Sequence, residues 1–507
     1  MKHYAHIAIL ACLLPCTCTA YELIGTATLS ETLVAQHYTI NPRLDAVIVV
    51  DRTTPSFEYQ TFYCAGSADE AEGEQGRLHF LEHIMIDRGS YEPGELNEII
   101  ADNGGQRHAA TYYHFTRFTL RFPKDKFDLA VEIDRNIYYD TVIDEEVVEK
   151  EKKIVLTERS QRMTQSTRRS SNYFYGLIYG KKNFNGLGSE AFIRQLEPVG
   201  LKDYYENFLR EQKRLIVVIG DVDIDHVLTK LDEAYGNDIA PVKLYAPQFP
   251  DRDVLGRRLK RSSNNLSLTI FRKGWYTPNL GNRDYAGLLI VERLLEKPSN
   301  SLGASLVDSR LAKSFSVSVG SFKGFGLMTC QAELPHNTSR NTIQDMIHVA
   351  LVNLKTISDA EFNAARNQKL SSLYSAFYNR SSMATSFGGA FAHADDPLLY
   401  PKLIQDLKSI RAEDIPRIID QYLKDDNSIT HSLTEIEKKE LPPKKPRTFG
   451  YYSGIVLALV GILTLLGGIV ALFVWKIKKW QRKARIRMTF STSQKVTLNE
   501  TIFSPDI

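Results

Sequence analysis

Cysteine is almost missing from this chain once its first twenty residues are set aside: of five, only Cys64 and Cys330 remain. Two cysteines so far apart build no disulfide scaffold and no cysteine-based metal site. In an exported chain they could be bridged, and two buried free thiols fit as well. Charge of one sign is lacking too. The formal net charge over 507 residues is +3, and the tail sets it: from Lys476 onward there are eight Lys or Arg against two acids, which leaves the remainder at −3. A mildly acidic body gives no footing for nucleic acid as a partner. Low-complexity tracts are absent, and long uncharged runs occur only near the two ends.

Those two runs predict how the chain is sorted. Lys2 and His3, the apolar residues 7–14 and the small residues Cys18-Thr19-Ala20 read as a secretory signal over 1–20. A core strand there is disfavoured, because Pro15 and a Cys/Thr run follow at once. Residues 451–475 are 25 positions without a charge. As a helix they would rise about 37 Å, against about 30 Å of hydrocarbon. Tyr451, Tyr452 and Trp475 mark the ends like an aromatic belt. The expectation is a single-pass membrane protein with an extracytoplasmic body (periplasmic in a bacterium), a stalk over 441–450, a transmembrane helix over 451–475 and a basic cytoplasmic tail over 476–507.

Between these ends, 43% apolar residues suffice for real cores. Strands are predicted at 46–50 and 59–64, then a polar, glycine-rich turn, a helix from about 77, and a second helix over 93–102 closed by Asn103-Gly104-Gly105. Residues 107–122 read as a strand pair, 127–139 as a helix, and 144 to about 166 as one long charged helix. A buried-type strand at 215–220 and a helix at 226–235 end the first half, and an aperiodic, proline-bearing stretch follows. Strands at 266–271, 314–320 and 326–334, with helices over 284–295 and after Thr342 and Asp359, form a second half. The predicted class is α+β, with domains over 21–240 and 257–440 joined by a linker over 241–256.

Histidine is scarce as well, 12 in all, yet two stand in one short run, His79-Phe80-Leu81-Glu82-His83. On a helix, side chains four apart share a face, so both imidazoles can grip one ion. Glu82 lies on the same side, within reach of a water on that ion. Two imidazoles leave zinc unsaturated, so a third ligand must come from elsewhere; a fourth position left for water distinguishes a catalytic site from a closed structural one. The long charged helix should supply that ligand. Its Glu151 and Glu158 are seven apart and share a face, and Glu158 comes 75 positions after His83. Most glutamates on so charged a helix are solvated. Glu158, however, interrupts the apolar run Ile154-Val155-Leu156-Thr157.

His-x-x-Glu-His with a glutamate about 75 positions on resembles the pitrilysin/insulinase family of zinc metallopeptidases, the inverzincins. Gly66-Ser67 and Glu70 resemble the family's approach to that helix. Gly104-Gly105 with Ala109-x-Thr111 resembles its substrate strand, and Glu151 to Glu158 its paired glutamates. The resemblance covers roughly residues 25–435, one unit of two α+β halves. It implies one zinc ion per chain on His79, His83 and Glu158, with Glu82 as general base and Glu151 supporting from behind. It implies a peptide or unfolded segment bound as an added strand near His108, Ala109 and Thr111. His108 departs from the family, which has Asn there. Family chambers close with two units, so a homodimer or a heteromer with a second such subunit is implied. The implied activity is proteolysis by a zinc metalloendopeptidase. The alternative is a non-catalytic subunit or peptide-binding protein that acts with an active partner.

Overall fold

The structure is a computed structural model that describes residues 21–181, 184–242, 255–263, 268–296, 301–435, 476 and 478. Contacts gather Met1–Ile436 into one compact unit and Glu437–Ile507 into a second. In the first half run β1 (Glu22–Thr28), β2 (Val34–Asn41), β3 (Leu44–Val50), β4 (Ser56–Tyr63), α1 (Arg77–Asp87), α2 (Glu95–Asp102), β5 (Gln106–Thr111), β6 (Thr116–Pro123), α3 (Phe127–Tyr139), α4 (Glu145–Met163), α5 (Ser166–Ile178), α6 (Glu190–Gln195), α7 (Pro198–Tyr204), β7 (Arg214–Gly220) and α8 (Ile224–Tyr235). In the second run β8 (Arg258–Ser263), β9 (Thr269–Thr277), α9 (Arg283–Glu296), α10 (Leu302–Asp308), β10 (Ser314–Phe322), β11 (Phe325–Leu334), α11 (Arg340–Asn353), α12 (Asp359–Phe377), α13 (Arg380–Ala394), α14 (Leu399–Ser409), α15 (Asp414–Tyr422) and β12 (Ser428–Glu435).

The first sheet has the order β1-β2-β3-β7-β4-β6-β5 and the second β10-β11-β9-β12-β8. The five strands of the second repeat the arrangement β5-β6-β4-β7-β3 of the first, which adds β2 and β1 at one side. β3 lies parallel to β7 and β8 parallel to β12, and every other pairing is antiparallel. The α+β class with two like halves, expected from the sequence, is therefore the observed one.

β7 explains why its sequence is a near-continuous apolar run: all seven residues are buried, as in a strand covered on both faces. Side chains alternate between two cores. Ile216 and Val218 point with Ile48 and Tyr59 into the core beneath α1, α3 and α8. Leu215, Val217 and Ile219 point with Val47, Val49 and Phe62 to the other face, against Met383, Phe387 and Phe391 of α13. The cover on that face thus comes from the second half. The exchange is mutual, because Phe174 and Ile178 of α5 pack with Tyr276, Leu327 and Ile429 on the second sheet. Both contacts are close: a Cβ on Gly388 of α13 would stand 2.1 Å from the Phe62 ring, and one on Gly274 of β9 2.6 Å from that of Phe174. Only glycine lets helix and sheet approach so far.

An ion pair pins the exchanged helix. At the start of α13, Arg380 Nε lies 2.6 Å from Asp51 Oδ2, and its Nη1 donates to Ser56 O at 2.8 Å. Burial alone raises the Asp51 carboxyl, but donation from Arg380 and Thr53, with the Arg380 charge, holds it below its ordinary 3.8. A depressed native pKa gives stability that is present above 3.8 and lost as the pH falls through the lower native value. Arg380→Met is expected to destabilise the protein by about 1 kcal/mol at neutral pH, after solvent screening. That gap should shrink below about pH 4 in thermal unfolding followed by circular dichroism. A gap that stays constant down to pH 3 would remove the pair from the account.

Two expectations meet the structure differently, and the alternative left open for the cysteines is decided. The long charged helix ends at Met163, and α5 starts afresh at Ser166. There the Thr164 hydroxyl donates to Gln161 O at 2.7 Å, and Gln165 is extended at φ −75 and ψ 118. Cys64 and Cys330 are both free, and burial pushes each thiol up to about 12, so neither is reactive. The single-pass membrane localisation, with attachment through a C-terminal helix, is corrected: among the described residues no helix is long and apolar enough to cross a membrane. Residues 451–475, where that span was placed, and 1–20, where the signal was placed, lie outside the described residues, as does most of the linker over 241–256.

Candidate metal centre

The helix that carries His79, Glu82 and His83 is α1, buried along nearly all its length. Its start is held by Glu70, whose carboxylate accepts from Gly76 N at 2.8 Å and Leu78 N at 2.7 Å. A buried acid there satisfies two orphan donors, whose hydrogen bonds act against the burial that pushes its carboxyl up to about 8. Buried Lys181 donates to the carbonyls of Ala68 and Glu70 and fixes the loop that delivers this cap. Sequence reading noted Glu70 without seeing that role. The signal was present: an acid seven residues ahead of a helix whose own first turn carries none.

α4 packs beside α1. Its Asp144 caps it by accepting from Val147 N at 2.9 Å, with Glu145 and Glu146 in the first turn. Val147, Val148, Glu151 and Val155 form its buried stripe, and Glu158 continues it one turn on. This brings together residues far apart in the chain. Glu158 Oε2 lies 3.4 Å from His79 Nε2 and 3.3 Å from His83 Nε2. Among the described residues, His79, His83 and Glu158 form the one group of three or more His, Cys, Asp or Glu whose donor atoms could hold a metal ion, all within 4.8 Å of one another.

The spacing can be tested against an ion. Tetrahedral ligands at about 2.0–2.1 Å from zinc stand about 3.3–3.4 Å apart, which matches the two observed separations. Glu158 Oε2 is buried and makes no hydrogen bond, so these contacts are not an alternative network. Two of the three donors are already in the ionisation state a metal needs. Burial, aided by the His83 charge, pushes His79 down to about 3, so its ring is neutral. Burial raises Glu158, but His83, His79 and Arg162 outweigh it and hold the carboxyl at about 2. Burial lowers His83, yet Glu151 and Glu158 reverse that and lift it to about 9. The acids around His83 therefore call for a cation, either a proton on Nε2 or a metal ion in its place.

Glu151, buried behind His83, lies 3.3 Å from its Nδ1, the contact that fixes ring orientation and turns Nε2 toward Glu158. Glu82 is buried, and Thr111 of β5 donates to its Oε2 at 2.7 Å. Burial raises the Glu82 carboxyl, with Thr111 acting against it. His108, Ala109 and Thr111 lie on β5, the edge strand of the first sheet. They line a cleft of about 790 Å³ together with His79, Glu82, His83 and Glu158. Burial, then Arg117 and Arg121, keep His108 below its ordinary value. In the second half, α9 and α12 stand in the order and packing of α1 and α4. Between them Glu292 and Lys369 form an ion pair at 2.9 Å, and among the described residues the group suited to a metal lies in the first half.

Two family models match. The one described as Insulinase (Peptidase family M16) covers residues 47–176, and the one described as Peptidase M16 inactive domain covers 200–369. The chain belongs to the M16 peptidase family. The first match spans the half with the histidines, the second the half with the ion pair. Among M16 relatives, the chain is 24% identical over 426 residues to the zinc protease PqqE of Helicobacter pylori, covering 80% of this chain and 95% of that one. It is 22% identical over 412 residues to the mitochondrial-processing peptidase subunit beta of Mus musculus, covering 74% and 79%. Its fold matches the crystal structure of a protease from Helicobacter pylori at a TM-score of 0.72, with 20% identity over 79% of this chain and 99% of that one.

Proposed function

We propose that this M16 chain is a zinc-dependent endopeptidase acting on peptides or unfolded protein segments. The observation that carries the reading is the approach of Glu158 Oε2 to His79 Nε2 at 3.4 Å and to His83 Nε2 at 3.3 Å, with Glu82 on the helix of the two histidines. His79, His83 and Glu158 would hold zinc, which supplies a Lewis acid that polarises the scissile carbonyl and acidifies water. Glu82 takes a proton from the attacking water and returns it to the leaving amine. Thr111 keeps Glu82 aimed, and Glu151 keeps the His83 ring turned. β5, with no strand paired on its outer side among the described residues, offers backbone donors and acceptors to an extended peptide, with His108 and Ala109 against its side chains.

A match to a protein named as subunit beta of a processing peptidase supports a second copy or second M16-type subunit as partner. Treatment with a chelator is expected to lower hydrolysis of an unstructured reporter peptide at least about 100-fold, with recovery on one equivalent of zinc. Turnover that survives complete metal removal, checked by elemental analysis, would end this reading.

A further inference from the structure

Three arginines line the cleft beside the histidines: Arg107, Arg162 and Arg168. Two are already engaged. Arg107 donates to Asn97 at 2.6 Å and lies 3.5 Å from Asp87. Arg162 grips Glu158 Oε1 at 2.6 Å. Arg168, in the first turn of α5, differs from both. Its Nε is buried without a hydrogen-bond partner, and no carboxylate among the described residues pairs with it. The neighbouring Arg169 reaches Ser166, so the helix does not absorb both guanidiniums in the same way.

A guanidinium presents a rigid fork of donors that matches a carboxylate in two parallel hydrogen bonds. Once a peptide fills the cleft and expels water, an unpaired arginine loses its solvation and gains nothing in return. A substrate that brings its own carboxylate removes that penalty, and a neutral one leaves it standing. The acids that share the cleft, Glu82 and Glu158, are committed to Thr111 and to the histidines with Arg162. Neither is available to Arg168.

Resting on the reading of the cleft as a peptide site, we infer that Arg168 is a specificity-determining residue that receives a substrate carboxylate, from an Asp or Glu side chain near the scissile bond or from the peptide's own C-terminus. The test reads binding instead of turnover. Labelled ten-residue unstructured peptides, amidated at the C-terminus, carry one Asp walked through the positions, each beside its Asn isostere. Fluorescence anisotropy on the zinc-loaded full chain should show one or two positions where Asp tightens binding at least about 10-fold over Asn. A gain seen only with a free terminal carboxyl would assign the terminus as the source. Arg168→Gln should erase the gain, and Arg168→Lys should keep part of it, since a point charge attracts without the bidentate match. Equal melting temperatures for the three proteins show that the fold is kept. No preference for Asp or for a free carboxyl in the wild type, or a preference that survives in Arg168→Gln, overturns the inference. Carboxylate-dependent binding without hydrolysis leaves Arg168 in place and removes the peptidase reading. Hydrolysis without any carboxylate preference does the reverse.

Discussion

Glu82→Gln is expected to lower kcat for an unstructured peptide by about 100- to 10,000-fold while the chain still holds one zinc ion. The substitution changes one atom and keeps the shape. The Thr111 hydroxyl, 2.7 Å from Oε2 in the wild type, can still donate to the amide oxygen, so α1 and β5 stay joined. What is lost is the ability to take up and hand on a proton. The factor corresponds to about 2.7 to 5.5 kcal/mol of barrier, well above what a shifted hydrogen bond would give. Zinc content by mass spectrometry and kcat by reporter cleavage decide the matter together. If both fall, Glu82 serves the metal, not the proton. If neither falls, the base lies elsewhere.

Glu158→Gln should act on the ion itself. An anionic oxygen between two imidazoles becomes a neutral amide, and Arg162, now 2.6 Å from Glu158 Oε1, loses its counter-charge. Zinc affinity is expected to drop by at least about 100-fold, with activity lost at limiting zinc and partly regained in excess. The same loss should appear in stability. A ligand at 100 times its Kd stabilises the native state by about 2.7 kcal/mol, so added zinc should raise the melting temperature of the wild type and leave the variant nearly unmoved. Glu151→Gln, which meets His83 only at Nδ1 and also loses its contact with Lys150 Nζ at 3.7 Å, belongs lower on the scale, at about 10- to 100-fold in metal affinity. A variant lacking the Glu158 carboxylate that binds zinc as the wild type does would dissolve the proposed centre.

The elements around this centre were legible because their chemistry is local. His79 and His83 announce a helix face by spacing alone, Asn103-Gly104-Gly105 closes α2 by its own turn preference, and the run at 215–220 reads as a strand covered on both sides. The helices exchanged between halves were not legible. α13 carries Ser, Gly and aromatic residues with no clean apolar stripe, and α5 buries Ser170, Asn172 and Gly176 beside Phe174 and Ile178, because both fit a foreign sheet at close range, Gly388 under Phe62 and Phe174 over Gly274. Nothing near them in sequence names that partner. β1 was missed for a different reason. It is an edge strand with Leu23 and Ile24 half exposed, so the usual alternation is absent. Arg168 stays invisible for the same reason in reverse, since whether a guanidinium is paired depends on acids that the fold alone places.

The helix exchange bears on how the chain is made. Synthesis delivers β7 by residue 220, yet α13 ends only at residue 394. At about 5 to 20 residues per second, roughly 10 to 35 s pass in which Val47, Val49, Phe62 and Val217 have no roof. A nascent half of this kind offers a sticky greasy plate to every neighbour on the polysome, so the protein's yield in a cell should hang on what shields that plate until the remainder arrives.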